Sequence, residues 1–562
     1  MNSARARRTE RLFLALLLLV GLGLRAYRLG QPSLAEDEAA KWNSIQKYRR
    51  GQFAGVNSEH PMLMKVLAWA SLDAGERYNR WALGHGWHPI RKEALLRLPI
   101  ALLGALTALI LYLLGRQMIG LLGAGLAAVF WAVSPLSVAL NRVLKEESLF
   151  VFFTLLAFYC YNRGKQAVSA EESKRWFTLA GVAFGLDLAS YYLAIGEFGL
   201  IVLVWHVANQ KGIKSRDMGP YLRRLVLVAG MVFVLANPVI LSPRNLEAML
   251  RYSEQKTIQH HGYLMDGRVY LNNALTTPYG LPWYFYLWVL AVKTPLVILA
   301  VMLGGIGLLF FDRNSLISIF TRVNLTFWIL PYSLAGSKWI RYEAIGLPVL
   351  YLAGGWAVEK FLVWSRDRMG NRTWRPAMAV VVVSLVLWPL ANAMAWAPYD
   401  RLFLNRLGGG MANAGRLFPP DEVYDLGARE VAEYVCRVAP QGARVAASDP
   451  MGLGFYMRQL GRKDLKVVQL FDPNYLPQPG DFLLIQDSRR YFETQGLIVL
   501  VEKTEKPVFV VRDDGLSVGK VYRFTDRPVR NVLTGGIEKT GSSLAPKDTS
   551  GRRSSRFGSH GQ

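Results

Sequence analysis

Apolar runs recur along this chain at the length that crosses a bilayer core as helix, roughly 20 residues, and short polar turns separate them. The first covers 12–29 and the last 376–397. Between them the pattern predicts further spans at 96–114, 119–138, 148–162, 176–191, 193–209, 222–241, 284–311, 315–334 and 343–361, about eleven in all by that length criterion. The stretch 176–209 reads as one long helix or a tight pair. A shorter apolar run, 61–72, is too short to span and suits a helix lying in the interface. Beyond residue 398 the periodicity changes. A helical stretch at 422–440 precedes strand-like runs at 443–448, 465–471, 481–487 and 507–512. The expected architecture is therefore an all-α polytopic membrane module, 1–397, followed by a small soluble α/β domain, 398–527. The Ser/Gly-rich basic tail, 528–562, has almost nothing apolar to bury and is expected to be disordered.

Charge gives this pattern an orientation. The 562 residues are 52% hydrophobic and carry a formal charge of +25. A basic excess of that size suggests nucleic acid, but much of it lies in short loops between apolar runs, where lysine and arginine mark the cytoplasmic side. If the N-terminus (Arg5, Arg7, Arg8, Arg11) is cytoplasmic, the alternate connections carry Arg116; Arg163, Lys165, Lys174 and Arg175; Lys211, Lys214, Arg216, Arg223 and Arg224; Arg313 and Arg322; and Lys360, Arg366, Arg368, Arg372 and Arg375. Every one is basic, provided 176–209 is a pair. The loops 30–95 and 242–283 and everything after 398 then face the other side. Loop 30–95 is itself basic (Lys41, Lys47, Arg49, Arg50), but long loops weigh little in this rule. No small-residue cleavage site follows residues 1–30, which read as an uncleaved anchor rather than a removed signal. Cys160 and Cys436 lie in different environments, which argues against a disulfide or a cysteine metal site.

The extracytoplasmic face is where the polar chemistry gathers. Glu36, Asp37 and Glu38 follow the first span directly. The segments 57–63, 141–150, 253–264 and 336–344 bring further acids, histidines, lysines and arginines to the same surface. Charges so near hydrocarbon are costly unless water, a cation or a reaction requires them. A transferase using a lipid-phosphate donor needs this inventory: a carboxylate to take the acceptor proton, and cations, or a divalent metal, to stabilise the departing phosphate.

The order of motifs resembles a known family. An acidic pair after the first span is followed by Glu59-His60-Pro61, an acid before a later span, "PWYFYLWVLAVKTPL" (282–296) and "SKWIRYEAIGLPVLYLAGG" (337–355). Over roughly residues 1–400 this is similar to the polytopic lipid-sugar glycosyltransferases of the GT-C fold, and within them to bacterial relatives of protein O-mannosyltransferases and of the lipid A aminoarabinose transferase. The resemblance implies Asp37 as the catalytic carboxylate, Glu38 as its partner, and Arg341, Lys338 and Lys293 at the donor phosphate. It also implies a divalent cation held by Glu59, beside His60, with His260 or His261, and a second acidic position at Glu146 or Glu147, where relatives usually carry aspartate. The lysine some relatives place near 189–194 is missing. The implied reaction is an inverting transfer of a sugar from a polyprenyl-phosphate carrier to a hydroxyl acceptor, on the periplasmic side of a bacterial inner membrane.

Each of these residues also has a purely structural reading. The acids of 36–38 suit a helix N-terminus, and Glu59 and His60 suit the turn before Pro61. Glu146 and Glu147 suit pairing with Arg142 or Lys145. Arg341 suits a bidentate phosphate grip or snorkelling at a span end, as does Lys338. Lys293 lies inside an apolar stretch, where an unpaired lysine is expensive. For the whole chain the competing functions are a transporter or flippase of a lipid-linked or anionic substrate, which would scatter polar groups through the mid-membrane, and a membrane scaffold whose outer domain binds a partner.

Overall fold

The computed structural model describes residues 3–524 apart from 193–201, 203, 207, 209–211, 215–216, 255–259, 274–275, 370, 421, 423–426, 471, 473–474, 476 and 514. The expected span 193–209 and tail 528–562 thus lie largely or wholly outside the described residues. The chain is mostly helical. Its first half runs α1 (Ser3–Ala26), α2 (Glu36–Tyr48), α3 (Leu63–Gly84), α4 (Lys92–Gly115), α5 (Leu121–Val133), α6 (Pro135–Leu140), α7 (Glu147–Gln166), α8 (Ala170–Leu188), α9 (Gly219–Ala236) and α10 (Pro243–Glu254). A hairpin, β1 (His260–Met265) and β2 (Arg268–Asn272), precedes α11 (Phe285–Lys293), α12 (Leu296–Phe311), α13 (Leu316–Leu334), α14 (Glu343–Arg366) and α15 (Asn371–Trp396). The protein is an integral membrane protein. Among the described residues, four helical segments are long and apolar enough to cross a membrane (92–115, 219–236, 340–366 and 372–396), and α12 with α13 passes the same criteria only as a pair, bent by 108° at its break, which is the geometry of a broken span or a re-entrant loop.

Two expected spans are broken at proline. The run 119–138 divides into α5 and α6 at Pro135, and 284–311 divides into α11 and α12 at Pro295. Proline has no N–H to offer the carbonyl four residues back, so Pro135 leaves the Trp131 carbonyl without its helical donor. The buried Arg25 guanidinium, at the end of α1, takes that place. It donates to the carbonyls of Trp131 and Ala132, each at 3.0 Å, and to Asn141 Oδ1 at 3.1 Å. The Ser137 hydroxyl also donates to the Trp131 carbonyl. The first span is thereby tied to the break that leads into residues 141–147.

Helices α5 and α14 approach almost backbone to backbone, because glycines face each other. A methyl at Gly355 would lie 2.2 Å from the Gly123 carbonyl oxygen. Glu359, one turn on, accepts the Gly120 N–H at 2.7 Å and caps α5. Overpacking of this kind costs about 1–3 kcal/mol. Gly355→Ala should therefore lower the thermal midpoint of the detergent-solubilised protein by several degrees, as read by scanning fluorimetry; an unchanged midpoint would mean that the helices separate freely.

The C-terminal part is a sheet domain. It comprises α16 (Ala428–Val438), β3 (Arg444–Ala447), α17 (Pro450–Gln459), β4 (Lys466–Gln469), β5 (Phe482–Ile485), α18 (Phe492–Thr504), β6 (Phe509–Asp513) and β7 (Leu516–Arg523). The strand order is β4-β3-β5-β7-β6, with β3 parallel to β4 and β5, and β7 antiparallel to β5 and β6. The sequence pattern located β3–β6 and missed β7, whose Gly519 and Lys520 interrupt the apolar alternation. One apolar core runs from this domain into the first loop. Ala428, Val431, Leu453 and Phe455 share it with Leu34, Ala39, Trp42 and Ile45, and Trp42 meets Phe455 edge to face at 5.5 Å. The sheet domain is thus packed directly against the helix that carries the acidic triplet.

Candidate active site

The acids of 36–38 form the first turn of α2, where negative charge complements the unpaired N–H groups of a helix start. The chain entering that turn is gripped by the sheet domain: the Leu34 N–H donates to the Tyr456 hydroxyl at 2.8 Å, and the Gly427 N–H donates to Ser33 Oγ at 3.0 Å. Three adjacent carboxylates then have three different fates.

Glu38 is fully buried. Its Oε1 accepts Arg97 Nε and the Leu144 N–H, each at 2.8 Å. Its Oε2 accepts an Arg97 Nη at 2.5 Å and the Ala35 N–H at 2.9 Å, which satisfies the backbone donor at the start of α2. With both oxygens engaged, Glu38 fastens α2 to α4 and to the 141–147 segment. Glu36 pairs with Arg489 of the sheet domain at 2.9 Å. Asp37, with its side chain 42% exposed, pairs with Lys145.

Residues 145–147 organise the rest. Lys145 meets Asp37. Glu146, buried, meets Lys41 Nζ at 3.1 Å and faces His60 Nε2 at 3.8 Å. Glu147 pairs with Arg341 Nε at 3.1 Å. Asp37 and Arg341 are therefore paired with residues two apart on one short segment, Lys145 and Glu147. Cations surround the acids. Burial alone would raise the Glu146 carboxyl, but His60, Lys41 and Lys145 hold it below the usual carboxylate range. Arg341 also lies against the rings of Trp339 and Tyr342, 5.1 and 5.3 Å from their centroids, and keeps 22% of its side chain exposed.

The other sequence-derived positions divide sharply. Glu59, on the rim, sits 3.3 Å from His60 Nε2, while the His60 ring stacks on Tyr191. Lys65, unnoticed in the sequence because it lies in an apolar run, directs its ammonium to the Val56 carbonyl, Asn57 Oδ1 and the His60 carbonyl at 2.8–2.9 Å. That pins the turn bearing Glu59 and His60, and burial pulls the lysine down to about 7. Lys338 is buried and donates to the carbonyls of Ala335 and Leu281. Lys293 is buried and donates to the Arg401 carbonyl at 2.7 Å. Of the three cations assigned to a donor phosphate, only Arg341 retains an exposed face. His260 and His261 belong to β1, but their side chains lie outside the described residues. Among the described residues no three of His, Cys, Asp and Glu are disposed to hold a metal ion; beside Glu146 and His60 the Lys41 ammonium supplies the positive charge.

Comparison with known proteins bears on the fold. Residues 15–252, fewer than half of the chain, match the family described as dolichyl-phosphate-mannose-protein mannosyltransferase. Over 92% of this chain and 98% of its own, the structure of ArnT from Cupriavidus metallidurans bound to undecaprenyl phosphate superposes with a TM-score of 0.50 at 13% identity. The fold is that of the GT-C glycosyltransferases. A second protein sharing this GT-C architecture is the Archaeoglobus fulgidus oligosaccharyltransferase, solved with a tethered acceptor peptide; the TM-score is 0.51 at 12% identity, over 81% of this chain and 63% of that one. By sequence, the chain is 28% identical over 134 residues to YycA and 30% identical over 120 residues to YkcB, two provisionally named mannosyltransferases of Bacillus subtilis (strain 168). These matches span only 19% and 16% of those relatives' lengths.

Proposed function

We propose that this GT-C protein is an inverting glycosyltransferase that moves a sugar from a polyprenyl-phosphate carrier to a hydroxyl acceptor. The observation that carries the reading is the pairing of Asp37 and Arg341 with two residues of one short segment, both still partly exposed. In this reading, Arg341 grips the carrier phosphate through its guanidinium fork. The Asp37 carboxylate releases Lys145, accepts the proton of the acceptor hydroxyl, and lets that oxygen attack the anomeric carbon from the face opposite the phosphate. The C–O bond to phosphate breaks as the new one forms, and Arg341 neutralises the charge that develops on the leaving phosphate. Lys145, freed by acceptor binding, and Lys41, beside Glu146, supply positive charge near the acids. The chain is read as crossing the bacterial inner membrane about eleven times by the span-length criterion, with a cytoplasmic N-terminus and the site outside, where nucleotide sugars are not supplied. The transporter alternative is weaker because the ionisable groups of 36–38, 59–60, 145–147 and 341 cluster at one membrane face rather than through its middle.

The test is transfer of radiolabelled sugar from a panel of defined polyprenyl-phosphate sugars to envelope acceptors by the purified protein. Transfer from at least one carrier is expected, and Arg341→Ala should raise the donor KM by about 10–100-fold, as loss of a charged bidentate contact does. Movement of the intact carrier across vesicles with no bond broken would select the flippase reading instead.

A further inference from the structure

Arg341 stands on a segment, 338–341, that elements outside the membrane hold at two points. Asn272, at the end of β2 and buried, treats Lys338 as a strand would treat its neighbour. Its Oδ1 accepts the Lys338 N–H at 2.6 Å and its Nδ2 donates to the Lys338 carbonyl at 2.8 Å. Two residues on, the Ile340 N–H donates to Glu422 Oε1 at 3.2 Å. The Glu422 Oε2 accepts the Tyr263 hydroxyl at 2.6 Å, and the Tyr263 ring packs edge to face on Trp339 at 5.6 Å, the same indole that lies beneath Arg341. Glu422 therefore holds the backbone next to Arg341 directly and the ring beneath Arg341 through Tyr263.

We propose that Glu422, with Tyr263 and Asn272, is a positioning residue that fixes Arg341 for the carrier phosphate, so that the segment following the last span sets the grip on the donor. The inference rests on the functional reading above. It also gives Lys293 a place: its ammonium and the Glu422 carboxylate attract each other inside the protein, and Lys293 holds the Arg401 carbonyl. Lys293 then acts on the site through Glu422 and contacts no phosphate. A buried carboxylate that accepts two hydrogen bonds is costly unless its partners stay in place, which is what a rigid support requires. A segment held by backbone hydrogen bonds fixes a guanidinium more closely than side-chain packing alone, and small displacements at such a site are amplified in binding.

The test is a double-mutant cycle on the purified full-length protein, with steady-state kinetics for donor and acceptor separately. Glu422→Gln should raise the donor KM about tenfold, the factor that goes with a weakened charged hydrogen bond. The acceptor KM and kcat should stay near those of the wild type. In an Arg341→Ala background the same substitution should leave the donor KM where Arg341→Ala alone puts it, because both act through one contact. An unchanged donor KM in Glu422→Gln, or an equal factor in both backgrounds, overturns the proposal. If Glu422→Gln does not accumulate in the membrane, Tyr263→Phe removes one hydroxyl and is judged by the same criteria. Should Arg341→Ala itself leave the donor KM unchanged, the functional reading fails rather than the positioning role alone.

Discussion

Asp37→Ala is expected to lower sugar transfer by about 10³-fold, within the range contributed by a positioned general base, while leaving the protein folded. Asp37 is the most exposed of its triplet, 42% of its side chain against 31% for Glu36, and pairs with Lys145. Lys145 is buried, but Glu146 lies near it as a second counter-charge, so removing Asp37 costs less than the roughly 3–5 kcal/mol of stranding a buried charge. The loss should therefore appear in kcat and not in the thermal midpoint or in membrane yield. Asp37→Asn, which keeps the shape and removes the basicity, should fall nearly as far. Transfer close to wild type in either variant would remove Asp37 as the base.

The neighbouring residue should behave in the opposite way. Glu38→Gln, or Arg97→Met, is expected to destabilise the protein by about 3–5 kcal/mol, the cost of leaving one member of a buried ion pair without its partner. Glu38 and Arg97 are both fully buried. Arg97 also donates to the carbonyls of Leu29, Pro32 and Ser33 at 2.7–3.1 Å, so the strap leading from the first span to α2 depends on it. Low membrane yield and a lowered melting temperature are the expected observations. If Glu38→Gln melts with the wild type but has lost transfer, Glu38 is taking part in the chemistry and the pair is not the anchor described here.

These contrasting expectations for adjacent residues show where reading a sequence ends. The long apolar runs, a helix after Pro61 and the change to alternating apolar positions after 398 were legible because each depends on local period. The structure accordingly has a helical membrane module and a small sheet domain. The breaks at Pro135 and Pro295 were less legible. A proline inside an apolar run marks a lost hydrogen bond, but only distant partners, Arg25 at Pro135 and Asn405 at Pro295, take up the carbonyls left free.

What no pattern could supply is which member of each cluster stays available. Glu36, Asp37 and Glu38 are nearly interchangeable by propensity, as are Lys338 and Arg341 by charge. Their partners, Arg489, Lys145 and Arg97 for the acids and Glu147 for Arg341, come from other elements up to several hundred residues away. Lys65, Asn272 and Glu422 gave no sequence signal at all, since a lone polar residue in an apolar or loop segment has no period. The sequence by itself determined a helical membrane module with a small sheet domain after it, because hydrophobic burial acts through local composition. Only the tertiary structure decided which carboxylate is buried as an anchor and which is left exposed, because a burial penalty is lifted only by a partner whose position the fold sets.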